Sequence, residues 1–131
     1  MRRAQDIVEQ YLHAFYTGNP ATARRYLRDG LAFSGPNASF ASAEAFLRAS
    51  AHVGSSVRAV NIQKLFVDGS DVAVFLELVL REPPGTIPVA DWYHLDGDHI
   101  TSIRTILDTA PFVAASRAPE ADTAIDPVCH T

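Results

Sequence analysis

Tyr11, Glu77 and Asp91 carry the phenol and carboxyl groups with which this chain could bind an oxyanion or move a proton. Asp91 and Tyr93 fall two residues apart in a strand-like segment, so they face the same side of that strand. A carboxyl group that aromatic side chains shield from water has a raised pKa, which suits it to act as an acid or base near neutral pH. The residue types therefore predict acid–base chemistry.

The same residues also have a purely structural interpretation. Tyr11 can be a core residue whose hydroxyl bonds a backbone carbonyl, and Asp91 can be a buried carboxylate that this tyrosine satisfies. The histidines are scattered, and no pair of them has the spacing of a metal site. There is no glycine-rich phosphate loop and no nucleophile elbow, so we expect neither a metal nor a cofactor.

The bulk composition limits the partners and the compartment. The chain has 131 residues and a net charge of −4, and the acidic balance argues against nucleic-acid binding, which needs a basic field. No apolar run is long enough to cross a bilayer, so no membrane role is expected. The charged start at residues 1–6 lacks the apolar stretch of a secretory signal, which predicts a cytoplasmic protein.

Three helices are predicted in the first part of the chain. The first is indicated by apolar residues on one stripe of a 3.6-residue period: Ile7, Val8, Tyr11, Leu12 and Phe15. Gly18 ends it, and Asn19-Pro20 begins a short second helix that buries Tyr26 and Leu27. Asp29-Gly30 predicts a turn before a short strand at 31–34. Ser42 predicts the cap of a third helix, which 54–56 interrupts.

Four long strands follow, and turn residues separate them. They are expected at 57–67, 71–81, 87–95 and 99–107, where β-branched and aromatic residues are frequent. Asp68-Gly69, 83–85 and Asp96-Gly97 join them, and an Asp-Gly pair between strands is a strong hairpin signal. Helices at the front of an antiparallel meander predict an α+β fold.

The strand at 71–81 has two apolar faces. Val72, Val74, Leu76, Leu78 and Leu80 form one face, whereas Ala73, Phe75, Glu77 and Val79 form the other. A sheet with one wet face would alternate polar and apolar residues. Because helices of the same chain can cover only one face, we expect a homodimer through the other.

The order of these elements resembles the SnoaL-like and ketosteroid-isomerase-like superfamily, which is also called nuclear transport factor two-like. The segments that carry the resemblance are 11–19, 26–30, 33–36 and the closing hairpin at 89–104. The resemblance implies a cone-shaped half-barrel around an internal pocket, formed by a domain at 1–109. It says little about function, because this scaffold hosts isomerases, cyclases, hydrolases and proteins that are not enzymes.

The resemblance also implies roles for single residues. Tyr11 matches the oxyanion-binding tyrosine of the ketosteroid isomerases, and Asp91 matches their neutral acid. Gly35 stands where their general base belongs, and Thr105 stands where the epoxide-hydrolase and cyclase relatives carry an aspartate. The resemblance also implies which face of each strand points inward, and on this basis Glu77 lies beside Asp91 as a third catalytic candidate. They predict a ligand-binding wall of Phe15, Phe33, Phe75, Tyr93, Ile103, Thr105 and Leu107.

The last part of the chain, 110–131, is rich in alanine and proline and is expected to form a loose tail. Its segment 125–131, Ile-Asp-Pro-Val-Cys-His-Thr, resembles the start of a YHS domain, a module associated with metal handling. One thiol beside one imidazole cannot complete a metal site.

Three functions therefore remain open. The first is a cofactor-independent lyase, isomerase or hydrolase for a small, largely apolar molecule that bears a carbonyl or hydroxyl group. The second is a pocket domain that binds without catalysis, accessory to a metal-handling module. The third is a structural dimerisation domain whose interior is filled by its own side chains.

Overall fold

The computed structural model describes residues 4–36 and 38–110, so the segment 125–131 lies outside the described residues. The helices are α1 (Ala4–Tyr16), α2 (Pro20–Arg24), α3 (Ala43–Ala49) and the short α4 (Val53–Ser56). The strands are β1 (Leu27–Ser34), β2 (Ser39–Phe40), β3 (Val57–Asp68), β4 (Asp71–Leu80), β5 (Thr86–Asp96) and β6 (His99–Ile106). Within the described ranges, no helix has the length and apolar character that crossing a membrane requires.

The six strands form one curved, open sheet in the order β2-β1-β6-β5-β4-β3. From β3 to β6, each strand pairs antiparallel with the next, which confirms the predicted meander. Gly69, Gly85 and Gly97 in the three connections all have positive φ, between 62° and 86°. Glycine adopts this conformation without steric cost, and this is why those turns could be predicted from the sequence.

The first strand differs from its prediction. It begins at Leu27 and runs through Asp29-Gly30, where a turn was expected, and it pairs parallel with β6. The sheet is therefore mixed, not antiparallel throughout. The register shifts between Leu27 and Ala32, so the Asp-Gly pair is accommodated as an irregularity within the strand. The short second helix ends at Arg24, which leaves Leu27 buried in the sheet.

The helices cover one face of the sheet, which we call the inner face. The predicted stripe of α1 is confirmed, since Ile7, Val8, Tyr11 and Leu12 are all at most 2% exposed. Ser42 caps α3 as predicted, because its Oγ accepts a hydrogen bond of 3.1 Å from the backbone N–H of Ala45. The fold is α+β, as the sequence predicted.

The inner face of β4 is formed by Val72, Val74 and Leu76, all at most 2% exposed. Phe75 and Glu77 alternate with these residues and therefore face away from the helices. Phe75 is 46% exposed on this outer face. The predicted placement of Phe75 and Glu77 beside Asp91 is wrong, because the helices cover the opposite side of the strand.

Candidate functional site

Asp91 lies in the middle of β5 and is the one buried charged residue in the described part of the chain, with 5% exposure. Tyr93 is two residues further along the same face, and Thr105 is the cross-strand neighbour of Asp91 on β6. The Tyr93 hydroxyl donates a 2.7 Å hydrogen bond to Oδ2, and the Thr105 hydroxyl donates a 2.8 Å bond to Oδ1. Strand alternation and register thus bring three predicted residues together.

Burial is the largest influence on the pKa of Asp91. Desolvation raises the pKa of its carboxyl group above the ordinary value, although the hydrogen bonds from Tyr93 and Thr105 partly oppose that rise. The pKa of Tyr93 is raised well above its usual range, first by burial and then by the negative charge of Asp91. The site therefore disfavours the charged form of Asp91 relative to a carboxyl group in water, and the hydroxyl groups beside it stay neutral.

Tyr11 approaches the same site from α1. Its ring meets that of Tyr93 edge-on, with 6.0 Å between ring centroids, and the residue is 2% exposed. Within residues 4–36 and 38–110, its hydroxyl has no hydrogen-bond partner, although a buried hydroxyl usually has one. Burial raises the pKa of Tyr11, and the charges of Tyr16 and Asp91 raise it further.

Tyr16 is a member of this cluster that the sequence pattern did not single out. It is half-buried at the end of α1, and burial raises its pKa, as does the charge of Asp91. It follows Phe15 directly, and the two rings meet edge-on at 4.9 Å. Its position five residues after Tyr11 was the available signal, since both fall within the segment that resembles the family's first helix.

The other residues of the predicted ligand-binding wall have separate surroundings. Phe15 and Phe33 both stack on Phe46, with 5.6 and 4.6 Å between ring centroids, so they belong to an aromatic group on the α3 side. Ile103 is 3% exposed and is the cross-strand neighbour of Tyr93. Leu107 lies just beyond β6, at a cavity described next.

Two cavities adjoin the helices, one beside α4 and one beside α1. The larger, which we call the mouth cavity, has a volume of about 460 Å³, and its lining includes Val57, Leu78, Leu80, Ile87 and Leu107. The smaller, which we call the α1–β3 groove, has about 240 Å³ and is lined in part by Leu12, Tyr16, Arg58 and Ile62. Asp91 lines neither cavity, whereas Tyr16 faces the groove.

The described residues contain no group of three or more His, Cys, Asp or Glu side chains that could hold a metal ion. The chemistry that the cluster offers is that of one desolvated carboxyl group among hydroxyl groups. Such a set can donate hydrogen bonds to a ligand oxygen and can transfer one proton.

The model of the SnoaL-like domain family matches residues 8–103. The chain therefore belongs to the SnoaL-like domain family, which confirms the resemblance expected from its sequence. No curated protein matches the chain. Nothing in the comparisons supports the YHS-like segment predicted at 125–131.

Solved structures share the fold at low identity. An NTF2-like protein of unknown function from Cytophaga hutchinsonii is 24% identical, with a TM-score of 0.75 over 86% of this chain and 96% of that chain. An LEH-like epoxide hydrolase from M. tuberculosis is 21% identical, with a TM-score of 0.72 over 90% and 92%. A protein with a ketosteroid isomerase-like fold from Catenulispora acidiphila, solved with trimethylamine, is 18% identical, with a TM-score of 0.71 over 85% and 92%.

Proposed function

We propose that this chain binds a small, largely apolar molecule through a carbonyl or hydroxyl oxygen and transfers a proton to or from it at Asp91. The observation that carries the proposal is that one buried cluster contains a carboxyl group of raised pKa and the Tyr11 hydroxyl group, which has no hydrogen-bond partner in the described part of the chain. A buried polar group left unpaired costs stability, and binding a ligand oxygen offsets that cost.

The proton balance is simple for a carbonyl substrate. The carboxylate form of Asp91 removes the proton from the carbon next to the carbonyl, and Tyr11 donates a hydrogen bond to the oxygen as it becomes negative. The protonated Asp91 then returns the proton to carbon or to a leaving hydroxyl group. The same two residues serve an isomerase or a lyase, and in a hydrolase Asp91 deprotonates water.

Glu77 takes no part in this proton transfer. Its carboxyl group lies on the outer face, so Asp91 is the single carboxyl group on the inner face of β4 and β5. Both tasks, removal and return of the proton, therefore belong to one residue. The raised pKa of Asp91 suits this, because a shift toward neutral pH makes the group better able both to accept and to return a proton.

The second candidate function is binding without catalysis. It is favoured by the two hydrogen bonds that already occupy both oxygens of Asp91, and by a mouth cavity whose lining does not include that residue. In this case the cluster stabilises the fold and the mouth cavity holds the ligand. An accessory role to a metal-handling module belongs to this candidate.

Hydrogen–deuterium exchange separates the two candidates. Cyclohexanone serves as the probe in D₂O, and ¹H NMR follows the loss of its protons next to the carbonyl. We expect exchange faster than in buffer, abolished in Asp91→Asn and slowed roughly 100-fold in Tyr11→Phe. If cyclohexanone binds at saturating concentration but its protons exchange only at the rate seen in buffer, proton transfer is contradicted and binding without catalysis is the function that remains.

Glu77→Gln is the matched control for this experiment. It removes a carboxyl group from the same sheet, but on the outer face, so we expect the exchange rate of the wild type. Rates are compared at a protein concentration where both proteins have the same oligomeric state. A loss of exchange equal to that of Asp91→Asn would contradict the assignment of proton transfer to Asp91 alone.

A further inference from the structure

The mouth cavity combines apolar walls with a charged rim. Its volume of about 460 Å³ falls within the range of roughly 300–1,000 Å³ that is usual for small-molecule sites. Leu78 and Ile87 on its walls are buried, whereas His52, Arg81 and Glu82, which also line it, are exposed and form what we call the rim. This division suits a molecule with an apolar body and one polar or charged end.

Arg81 is held at the rim by backbone groups. Its own backbone N–H donates a 3.0 Å hydrogen bond to the carbonyl oxygen of Ser56, and its Nε donates one of 3.0 Å to the carbonyl oxygen of Ser55. The connection after it is closed by a 3.1 Å bond from the N–H of Gly85 to the carbonyl oxygen of Glu82. These contacts orient the guanidinium group, and its two terminal amino groups have no partner among residues 4–36 and 38–110.

The rim favours an anionic end over a cationic one. Glu82 forms no ion pair with Arg81, although the two residues are adjacent, and no hydrogen bond within the described ranges holds its carboxyl group. Arg81 is already oriented, so a ligand that binds it costs little further side-chain freedom, whereas Glu82 would have to be ordered. Two adjacent guanidinium donors match the two oxygens of a carboxylate.

We propose that the mouth cavity binds an apolar monocarboxylic acid, with the carboxylate on Arg81 and the hydrocarbon body against the apolar walls. The inference rests on the second candidate function, in which the mouth cavity holds the ligand, and it names the class of that ligand. Each CH₂ group that the walls bury tightens binding about 4-fold, whereas Arg81 determines the choice of end group. Proton transfer at Asp91 has no part in it.

Three ten-carbon compounds with the same body test the choice of end group: decanoate, decan-1-ol and decylamine. Isothermal titration calorimetry measures their binding to the full chain near neutral pH. Decanoate is expected to bind at least about 10-fold more tightly than decan-1-ol, and decylamine is expected to bind most weakly. In Arg81→Gln, the affinity for decanoate falls to that for decan-1-ol, and the affinity for decan-1-ol stays that of the wild type. Retained binding of the alcohol also shows that the variant is folded.

Two further variants locate the bound acid. Arg58 lines the α1–β3 groove and has no ion pair in the described part of the chain, so Arg58→Gln is the matched control for Arg81→Gln. It is expected to leave the affinity for decanoate unchanged. Leu107→Trp fills the mouth cavity itself, and we expect it to weaken decanoate and decan-1-ol alike, because both bodies lose the same space.

The possible failures differ in what they overturn. Equal affinities for decanoate and decan-1-ol, or tighter binding of decylamine, overturn the carboxylate class and leave binding in the mouth cavity intact. Loss of both ligands in Arg81→Gln shows that Arg81 shapes the cavity and does not select the end group. Weaker decanoate binding in Arg58→Gln places the acid in the groove instead. If none of the three compounds binds, the second candidate function fails together with this inference.

Discussion

At Asp91, burial and hydrogen bonding act on the pKa in opposite directions. Desolvation is the larger effect and raises it, whereas the hydroxyl groups of Tyr93 and Thr105 stabilise the charged form and lower it. Because the folded pKa exceeds the unfolded value of about 3.9, the folded protein holds this proton at pH values where the unfolded chain has lost it. The carboxyl group thus links the stability of the fold to pH.

The sign of this linkage yields the first prediction. The contribution of Asp91 to stability is fully present below the unfolded pKa and is lost as the pH rises through the folded pKa. The loss is about 1.4 kcal/mol for every pH unit that separates the folded pKa from the unfolded one. Asp91→Asn lacks this titration. Urea unfolding from about pH 3 to pH 8 is expected to show the wild type losing stability relative to the variant as the pH rises. Parallel pH curves for the two proteins would refute the raised pKa.

The cluster around Asp91 was partly predictable from the sequence. Alternation along a strand is local, so the shared face of Asp91 and Tyr93 followed from their spacing. The side on which Phe75 and Glu77 lie did not follow, because both faces of β4 are apolar and only the position of the helices decides between them. The approach of Tyr16 depends in the same way on helix packing.

At the scale of elements, the junction between α1 and α4 depends on a close backbone contact. A Cβ at Gly54 would lie 2.6 Å from the Cα and 2.8 Å from the N of Gly18. Gly18 itself has a φ of 75°, in the left-handed region where α1 ends. The sequence predicted that 54–56 interrupts the third helix, which is wrong, because α3 already ends at Ala49 and Gly54 lies within α4. The requirement for glycine at position 54 comes from this contact with a residue 36 positions earlier.

Gly54→Ala tests that contact. Because both near atoms belong to the backbone, α4 must move away from the end of α1, and we expect a loss of about 1–3 kcal/mol in the free energy of unfolding. Gly30→Ala is the control, since a Cβ there meets nothing within 4 Å and φ is outside the left-handed region. Thermal unfolding measures both variants, and equal midpoints would show that the junction tolerates a side chain.

The separation along the chain between paired strands explains which elements could be predicted from the sequence. The hairpins between β3 and β6 depend on short turns, whose glycines are visible in the sequence. The parallel pairing of β1 with β6 joins segments about 70 residues apart, and nothing local in Leu27–Ser34 encodes it. Asp29-Gly30 therefore resembled a turn until the partner strand was known.

At the scale of the whole molecule, the two cavities have walls of different character. The mouth cavity is the larger, and most of its exposed wall is apolar, with Leu78, Ile87 and Leu107 on it, although His52, Arg81 and Glu82 also line it. The α1–β3 groove is smaller and carries Glu9, His13 and Arg58 on its walls. A neutral, apolar ligand gains more by burying its surface against the first set of walls, so we expect it to use the mouth cavity.

Filling each cavity in turn decides which of the two cavities holds the ligand. The probe is 2-naphthol, a fluorescent molecule with an apolar body and one hydroxyl group. Leu107→Trp places an indole in the mouth cavity and is expected to weaken 2-naphthol binding at least about 10-fold. Ile62→Trp fills the α1–β3 groove, where the residue is already 41% exposed, and is expected to leave the affinity unchanged. The reverse pattern would assign binding to the groove, whose walls include Tyr16.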